Sequence, residues 1–276
     1  MKIIKILAIL ILTGLLTIIT QIGGIVYLFS FLTYGWTNKK IKNHYKNITL
    51  KLFSFICFYL ISTFVFVPII AKQIGRVPLP IFEKNYLKPL NILTCVLNRN
   101  YVLPEMRTIA FQVADEMNKK YPKTKINYLD ANFPFIKKFP LFPHLSHNDG
   151  KKLDLSFFYL DFKNGQATND CPSIIGYGIC EESNINEINT AEICEEKRYW
   201  QYSILKKIIP QGNKKNFVFD ELRTKEMVNI FASKNLIGKL FIEPHLKARL
   251  KLTSSKIVFH GCQAVRHDDH LHVQLK

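Results

Sequence analysis

The sequence predicts an α+β fold in which a small antiparallel sheet carries metal-ligating side chains, with helices flanking it, preceded by two transmembrane helices. Three observations predict it. The 276 residues hold 38 Lys and Arg against 21 Asp and Glu, yet no acid precedes Glu83, so the start of the chain is built for a different environment from the rest. Two long apolar runs fall inside that acid-free stretch. At the other end, His270-Leu271-His272-Val273-Gln274-Leu275 alternates with the period of two that a half-buried strand requires.

The first apolar run extends from Ile6 to about Tyr34 and is interrupted mainly by Thr, Gly and Gln21. It exceeds the roughly 20 residues that a bilayer core needs, and can span with tilt. Lys2 and Lys5 precede it as in a signal peptide, but the apolar part is longer than the usual 7 to 15 or so, and no small-x-small cleavage site follows. A retained helix is expected. The second run, Leu52 to Ala71, carries no charge, and Pro68 near its end is tolerated in lipid. Between the runs lie Lys39, Lys40, Lys42, Lys46 and Lys51, against two lysines at the N-terminus. An excess of Lys marks the cytoplasmic side, which puts this loop inside and both the N-terminus and everything after Ala71 outside.

Residues 1–76 therefore read as a membrane anchor of two transmembrane helices with a basic cytoplasmic loop, and 77–276 as a domain on the outer, periplasmic side of the cytoplasmic membrane. Gly75-Arg76-Val77-Pro78-Leu79-Pro80 is the tether, extended because each proline fixes its own φ and disfavours helix in its predecessor. Pro104 to Tyr121 has helical spacing at Ile109, Val113, Ala114 and Met117. Lys125 to Leu129 and Leu153 to Phe162 read as strands, with a prolyl and aromatic run, Phe133 to Pro143, between them. From Asn164 to Tyr202 no period holds, so this stretch is either a lid over the site or an idle surface loop. Helices are expected at Tyr199 to Ile209 and Thr224 to Ser233, then strands at Leu240 to Ile242, Lys256 to His260 and the C-terminus. There is no internal repeat and no low-complexity block.

Read as a strand, the last segment sends His270, His272 and Gln274 to one face and Leu271, Val273 and Leu275 to the other. Adjacent imidazoles on a rigid strand are ready metal donors, and a catalytic zinc site needs three protein ligands. Upstream, His147 sits in a polar turn with Gly150, and Asp154 shares a face with Ser156 in Leu153-Asp154-Leu155-Ser156-Phe157. His44, His245 and His260 match no pattern and read as ordinary surface or core histidines.

Ser146-His147-x-x-Gly150-x-x-x-Asp154, followed far downstream by His270-x-His272, resembles the zinc peptidases of the lysostaphin, D-Ala-D-Ala carboxypeptidase and Sonic hedgehog group. The nearest likeness is to the penicillin-insensitive murein endopeptidases, through His144-x-x-His147 and His267-x-x-His270-x-His272-Val273. It extends from about Arg107 to the C-terminus, and Leu240 to Lys247 resembles the strand and turn that precede the final strand. The resemblance implies zinc ligands at His147, Asp154 and His272, and a catalytic His270 beside the metal. Asp269, three residues before His272, is the other candidate base, although on an ideal strand it faces away from His270. It further implies that His144 and His267 flank the metal or touch substrate, and that Asp268 or Asp269 orients His267 or His270. The implied activity is zinc-assisted hydrolysis of peptide cross-links in peptidoglycan. Two other readings stay open: a zinc peptidase acting on a non-wall peptide, and a membrane-anchored, non-catalytic cell-wall-binding protein.

Cys57 lies within the second apolar run, while Cys95, Cys171, Cys180, Cys194 and Cys262 would lie outside, where disulfides persist. At least one bridge involving the cysteines of the 164–202 stretch is expected, and two are possible. Nine of the 38 basic residues lie at or before Arg76, which leaves a diffuse excess of eight for the outer domain. That suits an anionic wall polymer or membrane surface, and no nucleic-acid-binding motif accompanies it.

Overall fold

The computed structural model describes residues 2–142 and 144–276. Its first helix, α1 (Lys2–Thr20), is almost wholly Ile, Leu, Ala and Thr, and its apolar side chains stay exposed, Ile3, Leu10 and Ile11 among them. It stops where Gln21 adopts φ of 66°. The chain then doubles back as α2 (Gly23–Ser30), continues through a 3-10 turn, Phe31–Thr33, and becomes α3 (Tyr34–Lys40) with helical backbone throughout. Glycine makes the reversal possible: a Cβ on Gly24 would come within 2.4 Å of the Thr13 carbonyl oxygen, and one on Gly23 within 3.0 Å of that of Leu16. Small residues at such crossings let two backbones touch.

The third pass is α4 (His44–Ile61), capped by the Asn43 side chain, which accepts from the Lys46 amide at 3.0 Å. It runs through a π-helical turn, Ser62–Phe66, into α5 (Val67–Gln73). Ile3–Thr20 and His44–Gln73 are long and apolar enough to cross a membrane. The single span expected from Ile6 to Tyr34 is thus replaced by a helix ending at Thr20 and a return helix. Apolar composition alone does not register a left-handed residue followed by paired glycines.

The α+β part of the chain begins at once. Strand β1 (Val77–Pro78) pairs with a later strand, while β2 (Leu87–Pro89) starts the edge of the main sheet and the short helix α6 (Leu93–Val96) follows it. β3 (Tyr101–Val102) is the antiparallel partner of β1 and leads into α7 (Pro104–Lys120), which has Pro104 at its first turn and buries Met106, Ile109, Ala110, Val113, Ala114 and Met117. β4 (Ile126–Tyr128) and β5 (Lys152–Ser156) follow. The expected strand from Leu153 to Phe162 breaks at Phe157 and Phe158, and its second half, β6 (Tyr159–Asp161), joins a separate sheet with β7 (Ala167–Thr168).

The short helix α8 (Thr190–Glu196) lies in the irregular stretch, and α9 (Ile204–Ile208) follows it, replacing a longer expected helix from Tyr199. β8 (Phe217–Phe219) completes the three-stranded sheet β7-β6-β8. α10 (Glu221–Ser233), capped by the Asp220 side chain, precedes β9 (Ile237–Phe241), α11 (Pro244–Arg249), β10 (Ile257–Val258) and β11 (His270–Leu275).

The fold is α+β with several sheets. The main sheet has six strands in the order β10-β9-β11-β5-β4-β2, and it is mixed rather than antiparallel as expected. β9, β11, β5 and β4 are antiparallel neighbours, but the edge pairs β10 with β9 and β2 with β4 are parallel. Leu153 and Leu155 of β5 and Leu271, Val273 and Leu275 of β11 share one core cluster with α7 and α10. Each such side chain contributes roughly 1.5–3 kcal/mol when fully buried, which fixes the pairing register, since a one-residue slip would turn the histidines into the core.

The N-terminal helices meet the rest of the chain at the turn between α1 and α2. Gln21 Oε1 accepts from the Phe135 amide at 2.7 Å, Tyr59 donates to the Val96 carbonyl at 2.7 Å, and Asn98 Nδ2 lies 3.2 Å from the Tyr59 hydroxyl. At the opposite end, Asn47 donates to the Thr37 carbonyl at 3.0 Å and Lys51 to Asn38 at 2.7 Å.

Candidate metal centre

Two neighbouring strands and one turn build the site. β11 pairs with β5 so that His272 stands opposite Asp154 and His270 opposite Ser156. With their apolar neighbours buried beneath, these side chains emerge on the same upper face. His147 arrives from the turn before β5. That turn needs a glycine: Gly150 has φ of 85°, and a Cβ there would lie 2.3 Å from the buried Arg76 guanidinium. The Gly150 amide donates to Asn132 Oδ1 at 3.0 Å, and the Asp154 amide donates to the Asp130 carbonyl at 2.8 Å.

His147 Nδ1 donates to the Ala131 carbonyl at 2.5 Å, which leaves Nε2 as a lone-pair donor in the neutral ring. That Nε2 lies 3.1 Å from His272 Nδ1 and 3.2 Å from Asp154 Oδ1, and the last two atoms are 2.8 Å apart. All three residues are buried. Zinc bonds of about 2.0–2.1 Å at tetrahedral angles put ligand atoms about 3.3 Å apart, so the three donors have room for a metal ion after a small adjustment. Two imidazoles and one carboxylate are also the donor chemistry such an ion takes. His272 Nε2 is buried with no hydrogen-bond partner, so hydrogen bonding to that atom does not fix the ring.

The other oxygen of Asp154 faces a second group, His144, Asp154 and His270, whose atoms also converge closely enough to hold a metal. Asp154 Oδ2 accepts from the Tyr177 hydroxyl at 2.9 Å and lies 3.5 Å from His144 Nδ1 and 3.7 Å from His270 Nε2. Each histidine here already has a carboxylate. His144 Nδ1 is 3.2 Å from Asp130 Oδ2, which Arg99 holds at 2.6 Å, and His270 Nδ1 is 2.5 Å from Asp269 Oδ1.

Burial opposes ionisation of Asp154, but the fields of His147, His270 and His272 outweigh it and hold its carboxyl well below the usual range. Burial, with His147 and His270 adding to it, drives His272 down to about 3 against the pull of Asp154, so that ring is neutral and able to ligate. His270 goes the other way. Burial is overcome by Asp154 and Asp269, and its imidazole rises to about 9.

The structure brings His144, His147, Asp154, His267, Asp269, His270 and His272 together. His267 is buried, with its ring centroid 4.9 Å from that of His270 and 5.7 Å from that of His272. Asp269 does not turn away from His270 as an ideal strand would require, because β11 begins only at His270 and the preceding residue is free to rotate. Its other oxygen accepts from the Gly178 amide at 2.5 Å. Asp268 is the exception: its carboxylate pairs with the buried Arg266, which also holds Glu182, and it touches neither His267 nor His270. Among the unmatched histidines, His245 donates to the Glu181 carbonyl at 2.7 Å as an ordinary buried residue, but His260 lines a cleft beside the metal-binding side chains.

Sequence reasoning missed Tyr177, Asp130, Arg99 and Glu243. Tyr177 had a signal: it stands between Gly176 and Gly178, both at φ above 80°, a local bend that aims the ring inward from the 164–202 stretch. That stretch is no idle loop, since Tyr177 and Gly178 bond to Asp154 and Asp269. It is tied down by a disulfide between Cys194 and Cys262, while Cys57, Cys95, Cys171 and Cys180 are free thiols. The cleft, about 450 Å³, is walled by Phe142 and Leu145 from the His147 turn, Trp200 from the stretch, Ile204 from the start of α9, and Val265.

No protein-family model matches the chain, and no curated protein matches it.

Proposed function

We propose that this chain is a membrane-anchored zinc metallopeptidase that hydrolyses peptide cross-links of peptidoglycan. The observation that carries the proposal is the convergence of His147 Nε2, Asp154 Oδ1 and His272 Nδ1 within 3.2 Å of one another. Zinc bound to these three atoms would supply a Lewis acid that polarises the scissile carbonyl and eases ionisation of the attacking water. The chain's own residues do the rest. The Ala131 carbonyl orients His147 so that its Nε2 faces the other donors, and burial keeps His272 a neutral donor. Asp269 orients His270 through Nδ1, and the unpartnered Nε2–H of its imidazolium is left to hydrogen-bond the developing oxyanion. The Tyr177 hydroxyl holds the far oxygen of Asp154 in place, with His144 Nδ1 3.5 Å from it.

Peptidoglycan as substrate rests on the resemblance of the His147 and His270 motifs. The outer location is supported by two independent features. A disulfide joins Cys194 to Cys262, and disulfides persist outside the cytoplasm. Beyond the two helices long and apolar enough to cross, we propose that α2–α3 is a return pass, which would bring Lys2, Lys5 and the Lys39–Lys51 segment together on the side opposite the domain, in keeping with the lysine distribution.

The test is metal analysis and a muropeptide digest on the full chain in detergent. The expected result is about one zinc per chain and conversion of cross-linked dimers to monomers. A chain that binds no zinc, or one that binds it and leaves every cross-linked dimer intact, removes the proposal.

A further inference from the structure

The cleft beside the metal-binding residues has a chemistry of its own. It opens from five histidines, His147 and His272 among them, and Phe142, Leu145, Trp200, Ile204 and Val265 give its wall an apolar character. Gln201, Gln263 and Ser146 are polar without charge, and no Lys, Arg, Asp or Glu lines it among the described residues. This is unusual company in a chain with 38 basic and 21 acidic residues. Its outer wall is preformed. Besides the Cys194–Cys262 disulfide, Gln201 donates to the Cys262 carbonyl at 3.5 Å and the Arg266 amide to the Tyr202 carbonyl at 3.3 Å, so Trp200 is carried on a segment stapled to the opposite loop. Yet Trp200 itself is 68% exposed, a large aromatic face held open at the mouth of the cleft.

A charged side chain or a free terminal carboxylate entering the apolar outer part of this cleft, away from the histidines and the metal they would hold, would lose its hydration and find no Lys, Arg, Asp or Glu to pair with, whereas an apolar side chain would lose nothing and cover the indole. We infer that the cleft is a specificity pocket for an uncharged, apolar residue beside the scissile bond of an internal peptide segment, read chiefly by Trp200 and Leu145. The inference rests on the peptidase reading for the bond's fate, but not for the pocket's occupancy. It also narrows the substrate. The ionised groups of a diamino-acid cross-link must lie outside this cleft, with the neutral methyl-bearing side chain within it.

Binding and turnover are measured separately. Trp200 and Trp36 are the two tryptophans of the chain, so Trp36→Phe leaves Trp200 as the sole indole reporter. Blocked tripeptide amides with Leu, Phe, Asp or Lys at the centre are titrated into that full-length protein in detergent, without and with zinc. The Leu and Phe peptides should shift Trp200 emission and bind about 10- to 100-fold more tightly than the Asp and Lys peptides. Leu145→Lys should reverse the order between the Leu and Asp peptides. Equal affinity for all four peptides, no emission change with any, or an unchanged order in Leu145→Lys overturns the inference. Selective binding without hydrolysis of any peptide or wall dimer would leave the pocket standing and remove the peptidase reading. Hydrolysis without selectivity would do the opposite.

Discussion

Asp154 and His272 face each other across two antiparallel strands with Oδ1 and Nδ1 2.8 Å apart, although 118 residues separate them in the chain. The pair has neighbours held in different ways on its two sides: His147 on one, bonded through Nδ1 to the Ala131 carbonyl, and His270 on the other, bonded through Nδ1 to the Asp269 carboxylate.

From that asymmetry the two histidines of the terminal strand should respond differently to removal. His272→Ala takes away one of three donors, so bound zinc and turnover should fall together. His270→Ala should keep most of the metal, while turnover drops about 100- to 10,000-fold, as for loss of an acid-base group. Metal analysis beside a muropeptide assay separates them. The assignment is falsified if His270→Ala loses the metal while His272→Ala keeps it.

Gly150→Ala should destabilise the chain by about 2 kcal/mol or more, because it combines a φ of 85° with a Cβ placed 2.3 Å from the Arg76 guanidinium. Gly165→Ala, at φ of 66° with open space around it, should cost only about 1 kcal/mol. Thermal melts of the two variants rank them, and equal losses would show that the Arg76 contact carries no weight.

Three crossings and two crossings differ in where the N-terminus lies. An N-terminal tag and an engineered cysteine at the exposed Lys40 should be shielded together in intact cells, while one at the exposed Lys163 is labelled by an impermeant thiol reagent. Labelling of the N-terminus from outside together with Lys163 would restore the two-span anchor.

The Cys194–Cys262 bridge closes a loop over a sequence separation of 68. Replacing both cysteines by Ala should cost on the order of 2–4 kcal/mol and weaken peptide binding in the adjoining cleft. Non-reducing peptide mapping should recover the two segments linked. Free alkylation of both thiols in the native protein would remove the bridge from the account.

Glu243 sits behind His267, whose amide donates to Glu243 Oε1 at 3.1 Å, while Oε2 is buried without a partner. Burial, with Asp268 adding to it, pushes its carboxyl up to about 7 from an ordinary 4.5. The folded chain therefore holds this proton more tightly than the unfolded one. The resulting stabilisation is complete below about pH 4.5 and is lost as pH rises through about 7. Glu243→Gln keeps the acceptor and drops the charge, so it should melt higher than the parent at pH 8 and close to it at pH 5. Parallel melting curves at the two pH values would contradict this.

What the sequence determined by itself is what short-range periodicity encodes. Alternation in His270-Leu271-His272-Val273 and Leu153-Asp154-Leu155 decides which side chains leave the core, the apolar runs mark the helices long and apolar enough to cross a membrane, and Pro104 with its helical spacing marks α7. These are properties of a few adjacent residues. Only the tertiary structure decided the rest: that His272 pairs with Asp154, that Tyr177 reaches back from the irregular stretch, that Cys194 meets Cys262, and that the first apolar run reverses at Gln21 against Phe135. Each of these joins segments far apart in the chain, where burial and register, rather than local pattern, select the partner.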